Sequence, residues 1–136
     1  PEHRAARANE AAAVDARGDV YSLGLILFEL LAGRPPADPP SGSPRERLAH
    51  LRAVRSQPQP SPRQFNPAVS RAASAIVAGC LTPDPADRYP SAHRLRDDLR
   101  RQLADRPLLH VREPSWRERL AKFARRNPWV KSFAFL

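Results

Sequence analysis

The sequence predicts a mainly α-helical fold that is incomplete on its own, and three observations lead there. Val20 to Ala32 is apolar almost without interruption, with Glu29 the only charge in the run. Further on, Val69, Ala72, Ala73, Ile76, Val77 and Cys80 recur at helical spacing, the stripe expected of one buried helix face. No stretch alternates convincingly as a strand would. The length, 136 residues, suits roughly one domain on the usual range of about 100–200. Sixteen prolines and 41% apolar residues point to a modest core interrupted by loops. The chain contains no methionine, as expected of a piece of a longer protein.

The elements follow in chain order. Residues 1–18 are rich in Ala and Arg without a clear apolar period, and read as an irregular lead-in. Asp19 precedes the apolar run and is a favoured N-cap residue, because its carboxylate accepts bonds from free first-turn amides. Gly33 suits a left-handed C-cap and Pro35 blocks continuation. A helix apolar nearly all round is expected to be buried on all sides, as the hub of the domain. Residues 34–44 and 56–67 are Pro-rich loops around a short helix. There Ser43, Pro44 and Glu46 form a capping box with proline at the first helical position, Leu48 and Leu51 facing inward. Asn66-Pro67 is expected to open the helix that carries the 69–80 stripe. After a loop from Thr82 to Pro90, Ser91 caps a helix with Ala92, Leu95, Leu99 and Leu103 on one face, ending by Pro107. Ser115 and Glu118 form a second capping box, leading a basic helix with Trp116, Leu120 and Phe123 on one side.

The net charge of +9 is uneven: residues 1–105 carry 15 basic and 12 acidic groups, residues 106–136 carry 8 and 2. Of the 23 cations, 21 are Arg, a bias that weakens charge as a guide to function. A single cysteine, Cys80, excludes an intrachain disulfide and a cysteine-based zinc site, and fits a reducing compartment. The longest apolar run falls well short of the ~20 residues that span a bilayer.

Two segments carry a family resemblance. Asp19-Val20-Tyr21-Ser22-Leu23-Gly24, running into Phe28-Glu29-Leu30-Leu31-Ala32-Gly33-Arg34-Pro35-Pro36, resembles the large central helix of the protein kinase C-lobe. Cys80-Leu81-Thr82-Pro83-Asp84-Pro85-Ala86-Asp87-Arg88-Tyr89-Pro90-Ser91 is similar to that family's conserved-arginine loop, and Pro1-Glu2 to the end of the Ala-Pro-Glu motif that closes the activation segment. The resemblance runs from Pro1 to about Leu103 and leans toward bacterial serine/threonine kinases of eukaryotic type. Tyr21 and Leu81 stand where tyrosine kinases usually carry tryptophan. The spacing from Glu2 to Asp19 is several residues longer than usual, which suggests an inserted loop. The fold implied is the helical C-lobe portion of the protein-kinase-like fold, with residues 1–105 as the C-terminal part of a catalytic domain. Residues 106–136 are then a basic tail helix and a candidate juxtamembrane segment.

The resemblance also implies roles. Glu2 is expected to pair with Arg88, a guanidinium fork gripping a carboxylate through charge-assisted bonds. Asp19 is expected to hold the backbone of the catalytic loop, which lies upstream of this chain. Phosphoryl transfer needs a Gly-rich loop, a lysine, a His-Arg-Asp loop and an Asp-Phe-Gly metal site. The sequence has no G-x-G and no Asp-Phe-Gly, and its lysines are Lys122 and Lys131 only. The expectation is therefore no catalytic, cofactor-binding or metal-binding residue here, with ATP and Mg²⁺ used by the parent kinase and neither bound by this piece.

The leading functional expectation is part of a serine/threonine protein kinase that acts on a protein substrate. This chain would supply the helical base and the substrate-side scaffold, joined to the upstream remainder of the kinase domain. The alternative is a pseudokinase-type binding or scaffold module. A nucleic-acid role is not expected, since no reading helix or aromatic platform is visible. For the tail two readings stay open. The basic helix lies on anionic lipid, as in a cytoplasmic part of a membrane-anchored kinase, or it packs Trp116, Leu120 and Phe123 onto the domain.

Overall fold

The computed structural model describes residues 2–127, with side chains from Ala16 onward. Within that range the chain is helical and without strands: α1 Glu2–Ala32, α2 Pro44–Arg55, α3 Arg71–Leu81, α4 Ala92–Leu103 and α5 Trp116–Arg126. Two short 3₁₀ turns, Pro62–Gln64 and Pro85–Asp87, sit in the loops before α3 and α4.

Helix α1 begins far upstream of the position expected from its apolar run. Seven alanines among residues 5–16 and no proline between Pro1 and Pro35 let the helix extend through the supposed lead-in. Asp19 is consequently not an N-cap; it lies inside α1 with an exposed side chain. The far end is as expected. Gly33 adopts φ +75° and its amide bonds the Glu29 carbonyl at 2.8 Å, closing the last turn. The Asn66 amide group bonds the Leu31 carbonyl at 2.9 Å, satisfying another orphan acceptor of that end.

The core forms where α1 meets α3 and α4. Val20, Tyr21 and Phe28 of α1 are buried with Ile76, Val77, Cys80 and Leu81 of α3, and with Tyr89 and Leu95. Gly24 sets the spacing: a Cβ there would lie 2.5 Å from the Cys80 Cβ and 2.9 Å from a Leu81 methyl. Phe28 meets Phe65 edge to face, with centroids 6.0 Å apart. Helix α1 is not buried on all sides, however. Leu23, Ile26 and Leu30 are exposed on one stripe, because α3 and α4 cover only the opposite face.

Helix α2 has the expected capping box: the Ser43 amide bonds Glu46 Oε2 at 2.7 Å and the Ser43 hydroxyl accepts from the Glu46 amide. It buries no residue, and Leu48 and Leu51 are exposed rather than inward. It touches α1 through Arg55, whose guanidinium lies 4.4 Å from the Tyr21 ring. The α3 stripe is buried as read, but its helix starts later than Asn66-Pro67. Ser70 is the cap, its hydroxyl accepting from the Ala73 amide at 3.0 Å, and Asn66 instead shapes a turn with the Ala68 amide. In α4 Leu95 is buried and Leu99 partly so, while Ala92 and Leu103 are exposed and Ser91 makes no side-chain cap bond.

Helix α5 is turned over relative to the packed reading. Lys122 faces inward, fully buried, with its ammonium 2.7 Å from Glu113 and 3.2 Å from the Arg106 carbonyl. Trp116, Leu120 and Phe123 face outward, 69%, 57% and 43% exposed. Half of the second capping box forms. Ser115 accepts from the Glu118 amide, but the Glu118 carboxylate reaches the Ala72 amide at 3.3 Å and so caps α3.

Candidate functional site around Arg88

Arg88 follows the Pro85–Asp87 turn, where Asp84 caps the turn by accepting from the Ala86 amide at 2.8 Å. Its side chain is 4% exposed. Nε donates to the Thr82 carbonyl at 2.8 Å and Nη2 to the Pro83 carbonyl at 3.0 Å, so the loop wraps its own arginine. The guanidinium carbon lies 4.7 Å from the centre of the Tyr21 ring on α1. Arg55 of α2 approaches the same ring, at 4.4 Å. Burial, and then the charge of Arg55, pull the Arg88 guanidinium below its ordinary pKa. Burial pushes the Tyr21 phenol up, against the opposing pull of the two arginines.

Two of the five guanidinium N–H groups of Arg88 are thus engaged with carbonyls. No carboxylate within salt-bridge distance of it occurs among the described side chains. The site is a buried cation on an aromatic ring with donors to spare. An anionic group is what it can accept. The Glu2 side chain, the expected partner, lies outside the described residues. Asp19 is not brought to Arg88. It stands at the head of the exposed stripe formed with Leu23, Ile26 and Leu30, one turn apart along α1.

The sequence reading missed two polar centres. Asp98 of α4 is fully buried. It accepts from the Tyr89 hydroxyl at 2.9 Å, the Leu109 amide at 2.6 Å, the His110 amide at 3.1 Å and the Val111 amide at 3.1 Å. Burial and the adjoining Asp98 carboxylate both push the Tyr89 phenol far up, so it stays a donor. The signal was available: position 98 falls between Leu95 and Leu99 on the inward side of α4. The second centre is the Lys122–Glu113 pair, whose local sequence looks like any charged surface. Among the described residues no group of three or more His, Cys, Asp or Glu could hold a metal ion.

No family model matches the chain. Individual proteins do. It is 42% identical over 92 residues to the serine/threonine-protein kinase PksC of Streptomyces coelicolor, a match covering 67% of this chain and 16% of that protein. With the serine/threonine-protein kinase Pkn1 of Myxococcus xanthus it shares 36% over 112 residues, 82% of this chain and 15% of the relative. The chain is related to the serine/threonine protein kinases of bacteria. The serine/threonine-protein kinase PknB of Mycobacterium tuberculosis adds 35% identity over 121 residues, 89% of this chain and 17% of that protein. A match of 121 residues is long enough to run past α4. The kinase-related chain spans about one-sixth of the length of these relatives. Among the described residues the architecture is helical without strands, consistent with the helical C-lobe portion of a kinase.

Proposed function

We propose that this chain is the helical base of a serine/threonine protein kinase, whose remainder transfers the ATP γ-phosphate to protein Ser or Thr using Mg²⁺. The observation that carries the reading is the uncovered stripe of α1. Asp19, Leu23, Ile26 and Leu30 share one face, polar at its head and apolar along its length. Such a face suits a packed segment whose backbone is held by a carboxylate. The upstream part of the kinase domain is the occupant: it lays its apolar side on the leucines and offers backbone amides to Asp19. The substrate-side role belongs to Arg88, which has donors left for Glu2 at the end of the activation segment. A helix continuous over α1 rises about 28 Å between positions 2 and 21. The clamp therefore requires the Ala-rich stretch to leave the helical path when the upstream segment is present.

The test uses the longer protein. It should transfer phosphate from ATP to a generic basic substrate protein, and Asp19→Asn should lower kcat with little change in the ATP KM. In a double-mutant cycle, Glu2→Gln and Arg88→Gln should each destabilise it by about 3–5 kcal/mol, with the pair costing little more than either alone. Failure to bind or turn over ATP would make the protein a scaffold module instead. Additive costs would remove the clamp.

A further inference from the structure

Helix α5 presents an amphipathic surface that the kinase reading does not use. In α5 the polar side is the buried one. Lys122 pairs with Glu113, the Glu118 carboxylate caps α3, and Arg125 makes a forked contact with Asp105 at 2.8 and 2.5 Å. These contacts fix the rotation of the helix, and they hold Trp116, Leu120 and Phe123 outward with Pro107 beside them. By the helical period, Arg119 and Arg126 border this strip on one side and Arg117 on the other. The Arg117 guanidinium rests 5.5 Å from the Trp116 ring. None of the three has a carboxylate partner among the described side chains.

We propose that this face of α5 lies on an anionic lipid bilayer, with Trp116, Leu120 and Phe123 in the headgroup boundary and Arg117, Arg119 and Arg126 on acidic headgroups. Charge complementarity selects this occupant. A protein groove suited to the same strip would need carboxylates on both of its rims, whereas an anionic membrane supplies negative charge everywhere. A strip of tryptophan, leucine and phenylalanine bordered by arginine is the pattern of helices that lie in the interface plane. The sequence continues the pattern. After Glu118 no acidic residue occurs up to Leu136, and that stretch carries Lys131 and Trp129, Phe133 and Phe135 besides the residues of α5.

The experiment is co-sedimentation of the 136-residue chain with vesicles of phosphatidylcholine alone and of equal parts phosphatidylcholine and phosphatidylserine. Binding should appear on the mixed vesicles, be at least about tenfold weaker on neutral ones, and fall with added salt. Trp116→Ala with Phe123→Ala should reduce it about tenfold or more, as should Arg119→Glu with Arg126→Glu, while Leu103→Ala, a change at a still more exposed position on α4, should not. In a Trp129→Phe background, brominated lipid should quench Trp116, which places the strip in the headgroup boundary. Far-UV CD of each variant should match its own background, since Leu103, Trp116, Arg119, Phe123 and Arg126 are all exposed. Three results would overturn the proposal. They are equal binding to both vesicle types, unchanged binding by the Trp116/Phe123 variant, or no lipid binding together with self-association that this variant abolishes.

Discussion

At Arg88 the loop carbonyls fix the side chain, and the ring of Tyr21 keeps it over α1. Lysine could supply the charge but not the fork. Arg88→Lys is expected to lose both carbonyl contacts and about 2 kcal/mol, read as a lowered urea midpoint with an unchanged slope. Gly24 is a packing requirement of another kind. A methyl group there meets the Cys80 Cβ at 2.5 Å, a backbone-anchored atom that cannot swing away. Gly24→Ala should therefore cost about 1–3 kcal/mol even though alanine is the better helix former. Cys80 itself is buried in the same contact, and burial pushes its thiol up to about 12. Thiolate is then scarce at pH 8, and the native chain should react with a disulfide reagent far more slowly than the urea-unfolded chain. Equal rates would mean that α1 and α3 separate readily.

At the scale of elements, α5 shows why part of the structure was legible and part was not. Its existence and its Ser115 cap follow from local chemistry, and so did those of α2, whereas α3 was expected but with its start at Asn66-Pro67 instead of the Ser70 cap. Its rotation does not, because it depends on Glu113, Asp105 and Ala72, all outside the helix. The aromatic strip alone suggests burial, yet a buried Lys–Glu pair decides the opposite. Removing one partner strands the other charge, so Lys122→Ala is expected to destabilise by about 3–5 kcal/mol, and Lys122→Met with Glu113→Gln by much less. Urea unfolding of the two variants separates these outcomes. Beside that pair, the Arg125 contact draws the Asp105 carboxyl below its usual pKa. Its contribution is present above the ordinary Asp value of about 4 and is lost as pH falls toward the lowered value, because the unfolded chain takes the proton first. Arg125→Gln should flatten the acid limb of the stability curve between those two values. The start of α1 was illegible for a different reason. Asp19 is good capping chemistry, but seven alanines ahead of it outweigh one favourable cap.

At the scale of the molecule, the stripes of α1, α3 and α4 were readable because helical periodicity reports which face is apolar. It does not report what covers that face. The uniform apolarity of Val20 to Ala32 implied neighbours all round, and the described residues supply them on one side only. Each fully buried leucine or isoleucine would add about 1.5–3 kcal/mol; Leu30 forgoes most of that here, Ile26 about half and Leu23 a smaller share. The isolated chain should accordingly melt in a broad, low-temperature transition by far-UV CD. Adding the upstream part of the kinase should sharpen and raise it; a cooperative melt at high temperature in the isolated chain would contradict the reading of this face.

The position of Asp98 has a bearing on where this polypeptide can be shortened. Its buried carboxylate is satisfied largely by the amides of Leu109 to Val111, which follow α4 in the chain. A stop codon after Asp105 would keep helices α1 to α4 whole. It would also leave the Asp98 side chain with the Tyr89 phenol alone of the four partners named above. Such a product should be scavenged by proteases, whereas one ending a few residues past Val111 should accumulate.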